Sequence, residues 1–267
     1  MMQKNNTKDP LASPKIVINS YNKRIEGEAF ISDHIFSYIV SGSHQVWIGD
    51  RKYSFKKGDL RFFRKNQLCR YVKSTGSEGF RSIAVHIDRN ILMEMASTYS
   101  LHSDILYRGE ESLLLDDQLL HNYVDSLIPY LRCSVQDERI ISLKVKELVL
   151  LLLNAYPLLK NMLFEFSEPG KIDLEAFMNS HYRYNVSVDH FAYLTGRSLA
   201  AFKRDFTKLY QCSPGRWLVK KRLQEARTLI ETQYQKPSDI YLELGFEDLS
   251  HFSFAYKKAF GHSPTKR

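Results

Sequence analysis

The first strongly patterned stretch of the chain alternates apolar and polar residues. Between Ile31 and Asp88 aromatic and β-branched residues are frequent, and glycines interrupt the run at positions 42, 49, 58, 76 and 79. Alternate apolar positions share one face of a β-strand, and glycine marks turns. The dipeptide Gly49-Asp50 separates two such runs in QVWIGDRKYSF and predicts a hairpin. We therefore predict several short antiparallel strands that form a small barrel or sandwich.

The periodicity changes to that of helices after Asn90. Ile91, Leu92 and Met95 open a helical segment, and two longer amphipathic stretches follow within residues 110–156. The second of these carries apolar residues on more than one face, which is more than a single packing surface requires. Two explanations fit. Either one face covers the β domain and the other meets a second copy of the chain, or a helical hairpin buries both faces within one chain.

The last third of the chain repeats itself at an offset of fifty residues. RSLAAFKRDFTKLYQCSPGR, from Arg197, matches EDLSHFSFAYKKAFGHSPTK, from Glu247, and aromatic residues four apart recur in both copies. That spacing places them on one face of a helix. A shorter amphipathic segment and a turn that contains Gly196 or Gly245 precede each copy. A short helix, a tight turn and a second helix form the helix-turn-helix plan, so the repeat predicts two such units.

A helix-forming stretch from Pro214 to Thr232 joins the two copies. At about 1.5 Å per residue, roughly 19 helical residues span about 28 Å, close to the ~34 Å pitch of B-DNA. We therefore expect this linker helix to hold the second helices of both units in successive major grooves. Two linked modules gain affinity through their effective concentration, so each can bind weakly by itself.

The charge distribution favours a polyanionic partner for this region. From Gly170 to the end there are 16 basic and 10 acidic residues, whereas the part before it has 22 and 20. Such an asymmetry is typical of nucleic-acid binding but not specific for it. Cys69, Cys133 and Cys212 lie far apart and indicate neither a disulfide framework nor a zinc site. Without a signal-peptide pattern or an apolar run of about 20 residues, we expect a cytoplasmic protein with no membrane partner.

The C-terminal region, from about Lys171 to Arg267, resembles the DNA-binding domain of the AraC family of bacterial transcription regulators. The motif positions that carry the resemblance are Arg222, Leu223, Ala226, Ile240, Gly245, Phe246, Phe252, Tyr256, Gly261, Ser263 and Pro264. The stretch SYIVSGSHQVWIGDRKYSFKKGDLRFF is similar to the cupin-like barrel that many members carry before a helical dimerisation pair. The resemblance implies an α+β protein: an N-terminal cupin-like antiparallel β-barrel with a helical pair, and an all-α C-terminal domain.

These observations divide the chain into five parts. We expect a flexible tail at residues 1–15, the cupin-like β domain at 16–108, a helical hairpin that could dimerise at 109–166, a linker at 167–171, and the AraC-type DNA-binding domain at 172–267. Within the last part, the first helix-turn-helix unit is expected at about 187–209, the linker helix at about 214–232 and the second unit at about 237–260.

The resemblance also implies, by position, which side chains face DNA. Those expected at base edges are Ala200, Lys203 and Arg204 in the first unit, and Leu249, Ser250, His251 and Ser253 in the second. Arg204 is the best candidate for a base contact, because its planar fork can pair with guanine through two hydrogen bonds. The residues expected to contact phosphates, which add affinity without sequence information, are Lys208, Lys220, Lys257 and Lys258. For each of them a solvated surface position is the alternative.

The sequence departs from the family pattern at three positions. Gln211 stands where glycine is usual, and Tyr241 where a small alanine is common. The larger departure is Phe254, because many members have arginine there and the first unit keeps Arg204 as its counterpart. We expect the second unit to contribute less to base recognition, or to contact chiefly the DNA backbone.

A metal-dependent dioxygenase or isomerase is the runner-up function for a cupin-like domain. Its candidate ligands are His34, His44 and His86, but Val46 stands where metal cupins generally carry a second histidine. A lone histidine on a strand is more often hydrogen-bonded filler. No phosphate-binding loop, nucleophile elbow or paired-carboxylate motif occurs in the sequence. We therefore expect no enzyme activity, no cofactor and no metal.

The role of the N-terminal domain stays open between effector binding and dimerisation alone. Its aromatic and basic residues Trp47, Tyr53, Arg61, Phe63 and Arg64 would suit an anionic or aromatic small molecule, and would equally suit a plain core with a solvated edge. We predict a sequence-specific regulator, an activator by resemblance, that binds double-stranded DNA as a homodimer and contacts RNA polymerase. The alternative is a metal-free or degenerate cupin joined to a helical module that binds RNA or protein.

Overall fold

The computed structural model describes residues 15–105, 107, 109–133 and 137–265 of the chain. Antiparallel sheets fill the N-terminal half, and helices fill the C-terminal half. This arrangement confirms the predicted α+β class. The flexible tail expected at residues 1–15 lies outside the described residues, except for Lys15.

The strands among the described residues pair into two antiparallel sheets. They are β1 (Ile16–Tyr21), β2 (Ile25–Ile31), β3 (His34–Ser41), β4 (Ser43–Ile48), β5 (Arg51–Lys56), β6 (Leu60–Phe63), β7 (Gln67–Ser74), β8 (Phe80–Ile87) and β9 (Ser112–Leu115). One sheet has the order β1-β8-β3-β6-β9, and the other has the order β2-β7-β4-β5. The predicted hairpin is confirmed, because Ile48 pairs with Arg51 and leaves Gly49 and Asp50 as a two-residue turn. Gly49 has a φ of +56°, which glycine adopts without a steric penalty.

The two sheets face each other and do not close into the barrel that the sequence led us to expect. The chain crosses between the sheets after β1, β2, β3, β5, β6 and β7, so the hydrogen-bond ladder of the described strands splits into two. Side chains from both sheets meet in an apolar core formed by Ile31, Ile39, Val46, Ile48, Phe55, Phe63, Cys69 and Phe80. The prediction of antiparallel strands is confirmed, and the closed barrel is corrected to two packed sheets.

Helices cover the other face of the five-stranded sheet. They are α1 (Arg89–Tyr99), α2 (Gln118–Arg132), α3 (Glu138–Ala155) and, after a 3₁₀ turn at Pro157–Leu159, α4 (Lys160–Leu163). Strand β9 precedes α2 and pairs with β6, and the sequence patterns did not predict it. In α3, Val145 and Leu148 are fully buried, whereas Leu143 and Leu150 are 64% and 43% exposed. One apolar face of α3 therefore packs on the sheet core, and a second stays on the surface of the described chain.

The C-terminal half contains the helices that the repeat predicts. They are α5 (Leu174–His181), α6 (Val188–Leu194), α7 (Leu199–Tyr210), α8 (Pro214–Gln233), α9 (Pro237–Ile240) and α10 (Leu249–Phe260). Helices α7 and α10 have twelve residues each and begin fifty residues apart. Helix α8 contributes Leu218 to the core around α7, and Leu223 and Ala226 to the core around α10. None of the helices in the described part of the chain has the length and apolar composition of a membrane-spanning segment.

Candidate nucleic-acid interface

The first helix-turn-helix unit is formed by α6 and α7. Gly196 in the turn has a φ of +64°, and a Cβ atom there would lie 2.4 Å from the carbonyl carbon of Gly170. The Ser198 side chain then caps α7 by accepting a hydrogen bond from the backbone N–H of Ala201. Phe202 and Phe206, four residues apart, are fully buried. The aromatic face of α7 therefore anchors the helix, and its other face is free to meet a ligand.

The residues predicted to face DNA from α7 lie on that exposed face. Ala200, Lys203, Arg204 and Lys208 are all exposed. The Arg204 side chain is 77% exposed, and its nearest ion-pair contact is Nε at 3.7 Å from Oδ1 of Asp205. Because this contact is long and solvated, it holds the guanidinium only weakly and leaves it able to reach a partner.

The second unit differs from the first in its short first helix. Helix α9 has four residues, and turn residues 241–245 follow it, ending at Gly245 with a φ of +79°. Asp248 caps α10 by accepting a hydrogen bond of 2.6 Å from the backbone N–H of His251. Ser238 and Asp239 both lie inside α9, and its N-cap is Lys236.

The residues predicted to face DNA from α10 are less uniform. Leu249, Ser250, His251, Lys257 and Lys258 are exposed, and Ser253 is half-buried. The His251 ring lies edge-on to the Phe246 ring at 5.8 Å between centroids, which limits its orientation. Phe254, which the sequence marks as a departure from the family, is 69% exposed.

Helix α8 fixes the two units to each other through Arg222. This side chain is 7% exposed, and its Nε donates to the carbonyl oxygen of Tyr182 at 2.7 Å. Its two terminal nitrogens donate to the carbonyls of Tyr184, at 2.9 Å, and Gly245, at 2.8 Å. Tyr182 and Tyr184 precede the first unit, and Gly245 is in the turn of the second. Lys220, on the same helix, is exposed.

The N-terminal sheet contacts both units, which the sequence did not predict. The Phe30 ring on β2 lies 4.4 Å from the His190 ring on α6, and Arg70 on β7 forms an ion pair with Glu243 at 3.7 Å. The Glu28 carboxylate on β2 accepts a hydrogen bond from the backbone N–H of Asn185. Burial raises the pKa of Glu28 to about 7, although this hydrogen bond and nearby arginines act in the opposite direction. These partners are far apart in sequence, so no local pattern signals them.

The structure brings three of the five effector-pocket candidates, Tyr53, Arg61 and Phe63, to the core between the sheets and separates Trp47 and Arg64 from them. Arg61 and Phe63 point into the core between the sheets, and Trp47 lies on the opposite face of β4 from the buried Val46. Of the other two candidates, both half-buried, Tyr53 packs against the same core between the sheets, and Arg64 directly follows the end of β6. Tyr53 donates a hydrogen bond to Glu110, and Arg64 forms an ion pair with Glu111.

Arg61 is nevertheless an unusual core residue. Its guanidinium is hydrogen-bonded to the ring of His44 and, at 3.2 Å, to the hydroxyl of Ser37. It forms no ion pair with an acidic side chain in the part of the chain that the structure describes. Burial lowers its pKa to about 9. Of the metal-ligand candidates, His34 and His44 are buried and His86 is half-buried. The described residues contain no group of three or more histidine, cysteine or acidic side chains that could hold a metal.

Comparison with known protein families matches two regions of the chain. Residues 191–266 match a family described as a helix-turn-helix domain, and residues 34–160 match the ExsA N-terminal regulatory domain. ExsA of Pseudomonas aeruginosa, an HTH-type transcriptional regulator, is 25% identical over 247 residues, which cover 85% of this chain and 83% of ExsA. The virulence regulon transcriptional activator VirF of Yersinia enterocolitica is 27% identical over 241 residues, covering 86% of this chain and 87% of VirF.

Solved structures of similar proteins include apo ToxT from Vibrio cholerae, with a TM-score of 0.45, 16% identity, and coverage of 98% of this chain and 97% of ToxT. The DNA-binding domain of AdpA in complex with a target DNA has a TM-score of 0.33 and 24% identity, and covers 34% of this chain and 82% of that domain. A regulatory domain matches the N-terminal half of the chain, and a helix-turn-helix domain matches the C-terminal half. Regulators such as ExsA align with most of both halves. The chain therefore belongs to the AraC family of DNA-binding transcription regulators, which are not enzymes.

Proposed function

We propose that this regulator activates transcription by inserting α7 and α10 into two successive major grooves of one DNA duplex. One observation carries the proposal: two twelve-residue helices, fifty residues apart, each bury an aromatic pair and pack on opposite halves of the same linker helix. Helix α8 has 20 residues and is therefore about 30 Å long, close to the ~34 Å pitch of B-DNA. The relatives' names support an activating role, since VirF is described as a transcriptional activator.

The exposed residues of these helices divide, in this proposal, into base contacts and phosphate contacts. In this proposal, base edges are contacted by Ala200, Lys203, Arg204, Leu249, Ser250, His251 and Ser253, and phosphates by Lys208, Lys220, Lys257 and Lys258. Arg204 is the principal base-reading residue, because an exposed guanidinium fork can donate two hydrogen bonds to guanine. The half-buried Ser253 is the weakest member of the set, since only part of its surface can reach a partner.

The N-terminal half acts in this proposal as a cupin-like regulatory and dimerisation module. The exposed leucines of α3, Leu143 and Leu150, lie seven residues apart on one face and support a homodimer through this helix. The dimer would present four helix-turn-helix units to paired half-sites and contact RNA polymerase in the bacterial cytoplasm. The domain boundaries are those expected from the sequence: 16–108 and 109–166 for this half, a linker at 167–171, and 172–267 for the DNA-binding domain.

Arg61 supports an additional role in binding an anionic effector. A buried guanidinium without an acidic partner is costly, and a bound carboxylate or phosphate would offset that cost. Trp47 and Arg64 receive less support, because Trp47 lies on the other face of β4 and Arg64 follows the end of β6, whereas Tyr53 packs against the same core as Phe63. Calorimetric titration of the full chain with a panel of anionic metabolites tests this role, and an absence of heat across the panel would leave dimerisation as the function of this half.

The decisive experiment for the proposed function compares binding to duplex DNA and to duplex RNA of equal length. We expect the full chain to select specific duplexes from a randomised DNA pool and to show no selection among RNA duplexes. Replacing Arg204 by alanine should weaken binding to the selected duplex by about 1–3 kcal/mol and relax the preference at one base pair. Arg139→Ala is a matched control, because that exposed arginine lies at the start of α3. An equal loss on every DNA sequence would contradict base reading by Arg204.

A further inference from the structure

Phe254 is a large apolar side chain in the middle of the exposed face of α10. It is 69% exposed, whereas Phe252 and Tyr256 on the same helix are fully buried. Residues three and four positions from Phe254 share its face of the helix, and Ser250, Lys257 and Lys258 are all exposed there. Phe254 therefore does not belong to the aromatic core of the second unit. It lies on the surface that carries the candidate DNA contacts.

The internal repeat identifies the position that Phe254 occupies. At the offset of fifty residues its counterpart in the first unit is Arg204, whose side chain is 77% exposed. In the proposed function Arg204 contacts base edges, so the equivalent side chain of α10 lies where it can do the same. Arginine there donates to the acceptors of guanine. Phenylalanine has no hydrogen-bonding group and no charge, so it recognises neither guanine nor a phosphate. The apolar feature of the major-groove surface is the C5 methyl group of thymine.

We propose that Phe254 is a specificity-determining residue that contacts the C5 methyl group of one or two thymines in the half-site of the second unit. This inference rests on the proposed function, because it requires α10 to enter a major groove. Lys257 and Lys258 lie one helical turn after Phe254 and would provide the positive charge that holds the helix against the DNA backbone. The two units then read different chemistry at equivalent positions: a guanine edge through Arg204 and thymine methyl groups through Phe254.

Deoxyuridine provides the test, because uracil lacks the C5 methyl group of thymine and keeps the same base-pairing edge. The full chain is first used to select duplexes from a randomised pool. Each thymine of the selected half-sites is then replaced singly by deoxyuridine, and the dissociation constants are measured by fluorescence anisotropy. Burial of one methyl-sized group corresponds to about a fourfold change in affinity, so we expect a loss of that size for each contacted thymine.

Combining each protein variant with each deoxyuridine substitution shows whether Phe254 makes the methyl contact. Phe254→Ala should abolish the sensitivity to deoxyuridine at the contacted positions, while Arg204→Ala, the matched change in the first unit, should leave it intact. Phe254→Arg should shift the preference at one of these positions toward guanine. An equal sensitivity of the wild-type chain and Phe254→Ala at every thymine overturns the assignment.

Equal sensitivity can arise in two ways, and each indicates a different role for Phe254. If Phe254→Ala weakens binding by the same factor on thymine and uracil duplexes, the ring wedges between bases and does not contact a methyl group. If Phe254→Ala binds every duplex as the wild-type chain does, the ring faces a protein partner. Failure of the wild-type chain to select any duplex would overturn the proposed function together with this inference, so the two failures are distinguishable.

Discussion

Replacing Arg222 by methionine should loosen both helix-turn-helix units at once. The guanidinium of this buried residue donates three hydrogen bonds, to the carbonyl oxygens of Tyr182, Tyr184 and Gly245 at 2.7, 2.9 and 2.8 Å. The first two carbonyls belong to the segment before the first unit, and the third belongs to the turn of the second. Methionine keeps an unbranched apolar chain in the space but leaves all three carbonyls without their donor.

The expected loss in the free energy of unfolding follows from these bonds. Hydrogen bonds to a charged group contribute about 1.5–3 kcal/mol each, and three would sum to roughly 4–9 kcal/mol if they were independent. Burial of the guanidinium, which lowers the pKa of Arg222, offsets part of this gain. We therefore expect Arg222→Met to reduce the free energy of unfolding of the C-terminal helices by about 3 kcal/mol. Arg222→Lys should also reduce the free energy of unfolding, because a single ammonium group cannot donate to all three carbonyls as the planar guanidinium does.

The chain offers a clean probe and a matched control for this measurement. Trp47 and Trp217 are its two tryptophans, so in a Trp47→Phe background fluorescence reports on Trp217, which packs against Phe206 and Tyr210. Urea unfolding is then compared for Arg222→Met and for Arg227→Ala.

Arg227 lies on the same helix, is 51% exposed, pairs with Glu231 and lies over the Phe260 ring, so its loss should cost no more than about 1 kcal/mol. Arg222→Met should also weaken binding to a DNA site with both half-sites more than binding to either half-site alone, since the fixed spacing is lost. Equal unfolding free energies for Arg222→Met and Arg227→Ala would refute this role of Arg222.

Three further predictions concern DNA affinity, backbone strain and pH. Lys258→Ala should weaken binding evenly across sequences and reduce the slope of log K against log salt by about one unit, and an unchanged slope would remove Lys258 from the phosphate contacts. Gly196→Ala should lower the free energy of unfolding by about 1–3 kcal/mol because of its positive φ and the close Gly170 carbonyl, whereas Gly215→Ala, in open space on α8, should be neutral or stabilising. Glu28 has a folded-state pKa of about 7 against 4.5 for the free side chain, so its contribution to stability is present below about pH 4.5 and lost as the pH rises through about 7. Urea unfolding at pH 5 and pH 8 should therefore show Glu28→Gln gaining stability relative to wild type at the higher pH, by up to roughly 3 kcal/mol, and a constant difference would contradict burial of the carboxylate.

The parts of the fold that could be predicted from the sequence are those with a strong local signal. The fifty-residue offset of the aromatic pairs gave the positions of α7 and α10, and Gly49-Asp50 gave the β4–β5 hairpin. Strand β9 had no such signal. Its four residues, Ser112–Leu115, show no alternation, and it is a strand because it pairs with β6, 49 to 55 residues earlier in the chain. The split into two sheets likewise depends on which strands pair at long range.

The candidate site shows the same division between local and long-range information. Exposure of Arg204 and burial of Phe202 follow from helical periodicity and could be predicted. The three carbonyls that accept hydrogen bonds from Arg222 could not be predicted, because the residues that supply them lie 23 to 40 positions away in the sequence. The effector candidates were grouped by residue type alone. Strand alternation and pairing then separate Trp47 from Arg61, since residues on opposite faces of the sheets cannot line one pocket.

The contacts between the halves of the molecule make the N-terminal sheet a second support for the DNA-binding units, beside α8. Phe30 on β2 packs on the first unit, and Arg70 on the adjacent strand β7 pairs with Glu243 of the second. Leu68 on β7 is buried in the same core as Phe202 and Phe206, so the sheet contributes directly to the packing that anchors α7. Because β2 and β7 are hydrogen-bonded neighbours, the two contacts come from one continuous part of the sheet. The N-terminal sheet is thereby connected to both helix-turn-helix units through short-range contacts.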